Sequence, residues 1–345
     1  MALQAAIRAG IALALVLSAG AQVVGVSPAS AADFYQGKDI RLIAGFPPGN
    51  DYDLGARLLA KYLPKYILGK PTIIVQNMPQ AASVAAANYL YAQASRDGTV
   101  IGSFSRNIVN DALTGESHVT ADPRRFIWLG ATSHPARVCV RSATAPVKTP
   151  ADLFTHEFIV GAAGATSSLA ILPTVLNKVL GTKFRIVEGY QGMGDAILAV
   201  QRGETQGVCA SYAQFRIVEQ LIKDGTLTFL LRAEETPIAD IPDVPSIFDY
   251  AKTDEQRQLV QFVFSSTEFG RPYVLPPGAP ADRVEIVRKA MAAAVRDPQL
   301  IAEAAGMKLD MSYTPPERLE ALVAKLYQTP PALIATIKAI MPNEK

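Results

Sequence analysis

Ile40-Arg41-Leu42-Ile43-Ala44-Gly45-Phe46-Pro47-Pro48-Gly49-Asn50-Asp51 is the stretch on which the fold turns. Residues 40–44 form a short apolar run of strand length. Pro47, Pro48 and Gly49 break it, and Leu54, Leu58, Leu59, Tyr62 and Leu63 then recur at helical spacing. Strand, tight junction and amphipathic helix make one βα unit, and the unit repeats downstream. Residues 72–75 read as the next strand and 83–94 as a helix. Asp97-Gly98 then turns the chain into a strand at 99–104. A second set starts near Phe126, with strands expected at 126–130, 138–140, 158–161, 184–187 and 207–210. Helices are expected at 168–180 and 195–202, the latter stopped by Gly203. This alternation predicts an α/β protein whose mostly parallel sheets are covered on both faces. Pro242, Pro245, Pro272, Pro276, Pro277 and Pro280 punctuate the last third. Beyond them the spacing predicts a helix over 282–295, with Asp282 and Glu285 placed as a capping box.

The length of 345 residues suits two domains. Hydrophobic residues make up 49%, enough for packed cores, and charged residues only 19%. Lys+Arg 33 against Asp+Glu 31 leaves a formal charge of +2 with no basic run, which argues against a nucleic-acid surface. The first 32 residues differ from the rest. Arg8 is the only charged side chain before Asp33, residues 9–26 are almost wholly apolar, and small residues end the segment at Ala29-Ser30-Ala31-Ala32. That pattern predicts a signal peptide over 1–31, cleaved after Ala31; a retained single-span anchor is the alternative. Cys139 and Cys209 fit export. A bridge between them would close a loop of about 70 residues, and two buried free thiols are the alternative.

Four strand-to-helix junctions stand out: residues 46–51, 77–83, 161–168 and 189–195. In open α/β sheets such junctions lie at the carboxyl ends of the strands, where ligands bind. Each leads into a helix N-terminus, whose unpaired N–H groups and dipole favour anions. Small residues such as Gly49, Ala81, Ala82, Gly192 and Gly194 leave the backbone accessible; turn-making alone would also account for them. Arg106, preceded by Ser105, and Arg137 follow stretches that should end near a cleft, and either could grip a carboxylate through two parallel hydrogen bonds. Tyr52, Tyr190 and Tyr212 could offer hydroxyls or ring faces, or pack in the core. His118, His134 and His156 are scattered without metal-ligand spacing. No nucleophile elbow, phosphate-binding Walker loop or His-Glu-x-x-His occurs. Gly192-Met193-Gly194 lacks the third glycine of a dinucleotide fingerprint. No catalytic residue, metal or cofactor is therefore expected.

In ordered sequence these pieces resemble one family. Phe46-Pro47-Pro48-Gly49 is followed by Asp53 and Ala56-Arg57, then Val75, Asn77 and Pro79, then Asp97-Gly98-Thr99. Pro146-Val147-Lys148-Thr149 precedes Asp152-Leu153. Gly189-Tyr190-Gln191-Gly192, Arg202-Gly203-Glu204, Pro242-Asp243-Val244-Pro245 and Pro276-Pro277-Gly278-Ala279-Pro280 complete the set. The chain resembles the substrate-binding proteins of tripartite tricarboxylate transporters, the Bug-type extracytoplasmic solute receptors, over nearly its whole length after the leader.

The resemblance implies a type II periplasmic-binding-protein clamshell, two doubly wound lobes joined by a two-strand hinge. Residues 32–133 with 258–345 would form the first lobe and 134–257 the second. It implies a ligand carboxylate held through backbone amides and ordered waters at the first two junctions, which points to Pro48, Gly49, Asn50 and Asp51 and to Gln80, Ala81, Ala82 and Ser83, with Phe46 also among the ligand-binding candidates. Thr166, Ser167, Gly192, Met193, Gly194 and Asp195 would face them. The chain departs from the family pattern at Asn50-Asp51-Tyr52, where extra glycines are usual, and at residues 78–83, where Arg-Pro-Gly-Ala-Gly-Gly is usual. The implied function is a monomeric periplasmic receptor that delivers a small carboxylate, di- or tricarboxylate or aromatic, to membrane transporter subunits. A ligand-sensing module for a membrane receptor and a secreted hydrolase are the alternatives.

Overall fold

Strands and helices alternate through the first third of the chain. The computed structural model describes residues 34–115, 118–165 and 167–340; the expected signal peptide and Thr166 lie outside the described residues. Strand β1 (Asp39–Ala44) leads into helix α1 (Asp51–Tyr62), β2 (Thr72–Asn77) into α2 (Val84–Ala92), and β3 (Val100–Ser103) into α3 (Ile108–Thr114). β4 (Ile127–Thr132) ends this lobe's first pass. A four-residue link takes the chain to a second sheet, built from β5 (Arg137–Ser142), β6 (Phe158–Gly161), β7 (Phe184–Val187), β8 (Gly207–Ser211) and β9 (Leu227–Arg232). Its helices are α4 (Ser168–Leu180), α5 (Met193–Gln201) and the short α6 (Glu219–Lys223). Helix α7 (Asp254–Phe269) brings the chain back to the first sheet as β10 (Arg271–Leu275). Then come α8 (Ala281–Ala294), α9 (Pro298–Gly306), β11 (Tyr313–Thr314), α10 (Pro316–Leu326) and α11 (Pro331–Ile340).

The first sheet has the order β11-β4-β10-β3-β1-β2 and the second β7-β6-β8-β5-β9. Both are mixed, which corrects the expectation of mostly parallel sheets. β1 pairs in parallel with β2 and β3, and β6 with β7 and β8; β10, β4 and β11, and likewise β5 with its neighbours β8 and β9, pair antiparallel. The reason is the double crossing. A strand that enters a sheet from the other lobe arrives at the end where the βα units finish, so it runs against them.

Alternation along β1 buries Ile40 and Leu42 on one side of the sheet and Ile43 on the other. One face of the first sheet closes over Leu42, Leu59, Leu63, Tyr273 and Met291. The opposite face belongs to a core that continues from Ile43, Phe104 and Trp128 through Phe262 and Phe269 of α7 to Phe158, Leu172 and Leu176 of the second lobe. Each fully buried Leu or Phe contributes about 1.5–3 kcal/mol. On this side the lobes therefore share one apolar interior, tied further by Lys178 Nζ donating to Ile340 O at 2.8 Å. Cys139 and Cys209 stand directly opposite each other on β5 and β8 and are disulfide-bonded. The capping box expected at Asp282 and Glu285 does not form. α8 is capped at Pro280 with no side-chain bond, and Glu285 pairs with Lys289 at 2.6 Å instead.

Candidate functional site

The junction after β1 is held by a network beneath it. Asn50 caps α1, its Oδ1 accepting the Tyr52 N–H at 2.9 Å. Asp53, almost wholly buried, accepts from Gly49 N at 2.8 Å, Arg57 Nε at 2.9 Å and Asn77 Nδ2 at 2.7 Å. Asn77 also donates to Phe46 O at 2.9 Å, so the second junction fastens the first. Burial alone would raise the Asp53 pKa; hydrogen bonds from Arg57, Asn77 and Gly49 outweigh it and hold the carboxyl below its ordinary value. Asp53, Arg57 and Asn77 thus shape the loop, and the Gly49 amide is already engaged. Tyr52 is buried, stacks on Phe46 at 4.2 Å, donates to Gly270 O and accepts from Arg106 N, both at 3.2 Å. Asp51 is exposed, but the buried Arg271 lies 3.7 Å from its carboxylate and offsets its charge. Arg271 also donates to Asp310 O and to Thr132 Oγ1.

The second junction runs through three consecutive left-handed residues, Ala81 (φ 50°), Ala82 (φ 50°) and Ser83 (φ 77°). Left-handed backbone costs a side-chain-bearing residue roughly 1–2 kcal/mol. Gln80, Ala81 and Ala82 are exposed and Ser83 is buried, its Oγ accepting from Ser105 N at 2.8 Å. That close approach needs Gly45, where a Cβ would lie 2.5 Å from the Ser83 Cβ. Ser105 Oγ in turn accepts from Asn107 N at 3.1 Å and fixes the turn that carries Arg106.

In the second lobe the junctions after β6 and β7 adjoin. Tyr190 N donates to Ala162 O at 3.2 Å, and the Tyr190 ring covers Gly161. Ser167 is the N-cap residue of α4 without a side-chain capping bond, and its buried Oγ has no partner among the described residues. Gly192 caps α5 and, like Gly194, has open space where a side chain would go. Met193 begins α5 and Asp195 closes its own loop by accepting from Gln191 N at 3.2 Å. Tyr212 donates to Asp240.

Arg137 lies at the edge of the second lobe, where the chain enters it. It opens β5, is half-buried, and donates through one terminal guanidinium nitrogen to Ser168 O at 3.0 Å, at the start of α4. Burial, with repulsion from nearby Arg106 second, pushes the Arg137 guanidinium down to about 10. Among the described residues neither arginine has a carboxylate within ion-pair reach. Arg106 is thus fastened to the first junction through Tyr52, and Arg137 to the third through Ser168.

Sequence reasoning missed Arg271, although a charge opening an apolar strand was a signal, and it missed the pair His134–Glu234. His134 sits on the link from β4 to β5 and Glu234 follows β9, so their 3.3 Å contact joins the two hinge segments. Glu234, almost fully buried, also accepts from Arg137 N and Thr267 Oγ1. Burial lowers the His134 pKa, but Glu234, with Glu268 beyond it and against the repulsion of Arg318, raises it above its ordinary value. A raised histidine stabilises the fold fully below its unfolded pKa of about 6.5 and loses that contribution as pH climbs through the folded value. Urea midpoints are expected to fall from about pH 6 to about pH 8, and His134→Ala to flatten that slope.

No family model matches the chain. A TctC solute-binding protein from Polaromonas superposes with TM-score 0.66 at 20% identity, over 89% of this chain and 99% of that one. The chain has the fold of the TctC-type solute-binding proteins. The periplasmic binding protein BugD aligns with TM-score 0.50 at 17% identity, covering 89% of this chain and 98% of its own. A UPF0065 protein of the gbd 5' region of Cupriavidus necator is 27% identical over 248 residues, 70% of this chain and 72% of that one. The resemblance read from the motifs and the clamshell fold it implied are both borne out by these TctC-type relatives. No helix among the described residues is long and apolar enough to cross a membrane.

Proposed function

We propose that the protein is a non-catalytic periplasmic receptor that captures a small organic carboxylate between its lobes and hands it to the membrane subunits of a tripartite tricarboxylate-type transporter. The observation that carries this reading is the pair Arg106 and Arg137, two like charges that repel each other, neither with a carboxylate within ion-pair reach among the described residues. Two adjacent unpaired guanidinium groups repel unless an anion lies between them, and a carboxylate matches their fork geometry. The ligand carboxylate sits at Arg106 and Arg137, near the exposed turn 80–82 and the start of α4 at Ser167. The loop of Gly192 and Gly194 closes over the rest of the molecule. Asn50, Asp53 and Tyr52 act from behind, by shaping the first junction. Ligand favours the closed state by the contacts it gains from the second lobe.

A thermal-shift screen tests this. Malate, citrate and benzoate stand for the carboxylates, with amino acids and sugars beside them. A ligand at 100 times Kd adds about 2.7 kcal/mol of apparent stability. A melt moved by amino acids or sugars and by no carboxylate would make the ligand class wrong.

A further inference from the structure

A cavity of about 870 Å3 lies on the flank of the hinge, and none of the four junctions lines it. Its floor is the hinge itself, with His134, Ala136 and Glu234. One wall comes from residues 305–318 of the first lobe, between α9 and α10. The other comes from residues 212–217 and 236–240 of the second lobe. The size suits a ligand of drug-like dimensions. The walls are mainly apolar, with Ile238, Leu309 and Pro315 inside and Ile217 at the lip, 84% exposed.

The charges lining the cavity are unequal in what they have left to offer. Glu234 is taken by His134 and Thr267. Asp310 accepts from the backbone of His134 and Ser312 at 2.9 Å each. Asp240 accepts from Tyr212 at 3.2 Å, and Arg318 is paired with Glu268 at 2.6 Å. Arg216 and Lys308 remain, both exposed and neither with an ion-pair partner among the described residues. They belong to opposite walls, one to each lobe. Asp240 keeps its charge beside them, so among the described residues the unpaired charges of the lining are two cations and one carboxylate, next to an apolar surface.

We infer that this flank cavity is a second binding site, for an amphipathic organic anion whose apolar body packs between Ile217, Ile238 and Leu309 and whose charge meets Arg216 and Lys308. Because both lobes supply its walls, an occupant bridges them and sets the angle at which they rest. The site uses no residue of the arginine pair, so it stands whether or not that pair binds a carboxylate.

Titration calorimetry of the purified protein with dodecanoate, below its micelle concentration, tests the site, with dodecylammonium as the charge control. Dodecanoate is expected to bind with one equivalent and dodecylammonium at least about tenfold more weakly. Arg216→Glu and Lys308→Glu each weaken dodecanoate binding at least about tenfold, while Arg106→Ala changes it by less than about twofold. Both reversed positions are exposed, and matching melts of the empty variants check that they fold. The inference is overturned by no measurable binding, by equal binding of dodecylammonium, by charge-reversed variants that bind like the parent, or by loss of binding in Arg106→Ala. That last result would assign the anion to the helix-end site instead.

Discussion

Carboxylate affinity is expected to drop at least about tenfold in Arg106→Ala and in Arg137→Ala, and about a hundredfold or more in the double variant, roughly 2.8 kcal/mol. Hydrogen bonds to a charged group contribute about 1.5–3 kcal/mol each, and any departure of the double variant from the sum of the single losses measures the coupling of two guanidinium groups that share one anion. The empty protein should behave in the opposite sense. Arg137 is half-buried, and burial and repulsion from Arg106 both press its charge toward neutrality. Removing Arg106 relieves that repulsion, so the unliganded Arg106→Ala protein should melt no lower than the parent. Arg137→Lys keeps the charge but loses the planar fork and the bond to Ser168 O, and should recover only part of the affinity. Isothermal titration with a carboxylate found in the screen measures all of these. Affinities within about twofold of the parent in both single variants would remove the arginines from the site.

The second large effect concerns the disulfide. Cys139 and Cys209 are separated by 70 residues and face each other on β5 and β8. Closing a loop of that length stabilises by roughly 4 kcal/mol on the chain-entropy view. Cys139→Ala with Cys209→Ala should therefore lower stability by about that amount, with a fall in Tm on the order of 8 °C. The position sharpens the expectation. β5 is the strand through which the chain first enters the second sheet, and it is paired on both sides, with β8 and with β9. Both cysteines are buried, so reductant should act slowly on the native protein and rapidly once it opens. A loss of less than about 1 kcal/mol in denaturant titrations of the double variant would contradict this account.

The parts of the fold that were legible are the local ones. The strand at β1, the Pro-Pro-Gly junction and the helical spacing from Leu54 to Leu63 all speak within a short window. Strand β9 and strand β10 were not read, and the reasons differ. β9 is a continuous run, Leu227-Thr228-Phe229-Leu230-Leu231-Arg232, without the alternation that marks a half-buried strand. β10 contains Pro272, which argues against a central strand. It is accommodated because β10 pairs with β3 only at Val274 opposite Gly102, so the ladder has lapsed beside the proline.

At the site, Arg106 and Arg137 were legible as candidates, but their mutual proximity was not. Gly49, Tyr52 and Asp195 looked like ligand contacts because the residues that occupy their polar groups, Asp53, Gly270 and Gln191, become neighbours only through tertiary structure or loop closure. Arg271 is the clearest case, since its partner Asp51 lies 220 residues away in the chain.

The three left-handed residues at Ala81, Ala82 and Ser83 bear on how the proposed site behaves when empty. Glycine there would let the loop wander through many shapes, and each capture event would have to freeze it again. Alanine and serine narrow that freedom in advance, at the expense of folding. The turn thus behaves as a set spring: hard to wind during folding, already wound when a guest arrives.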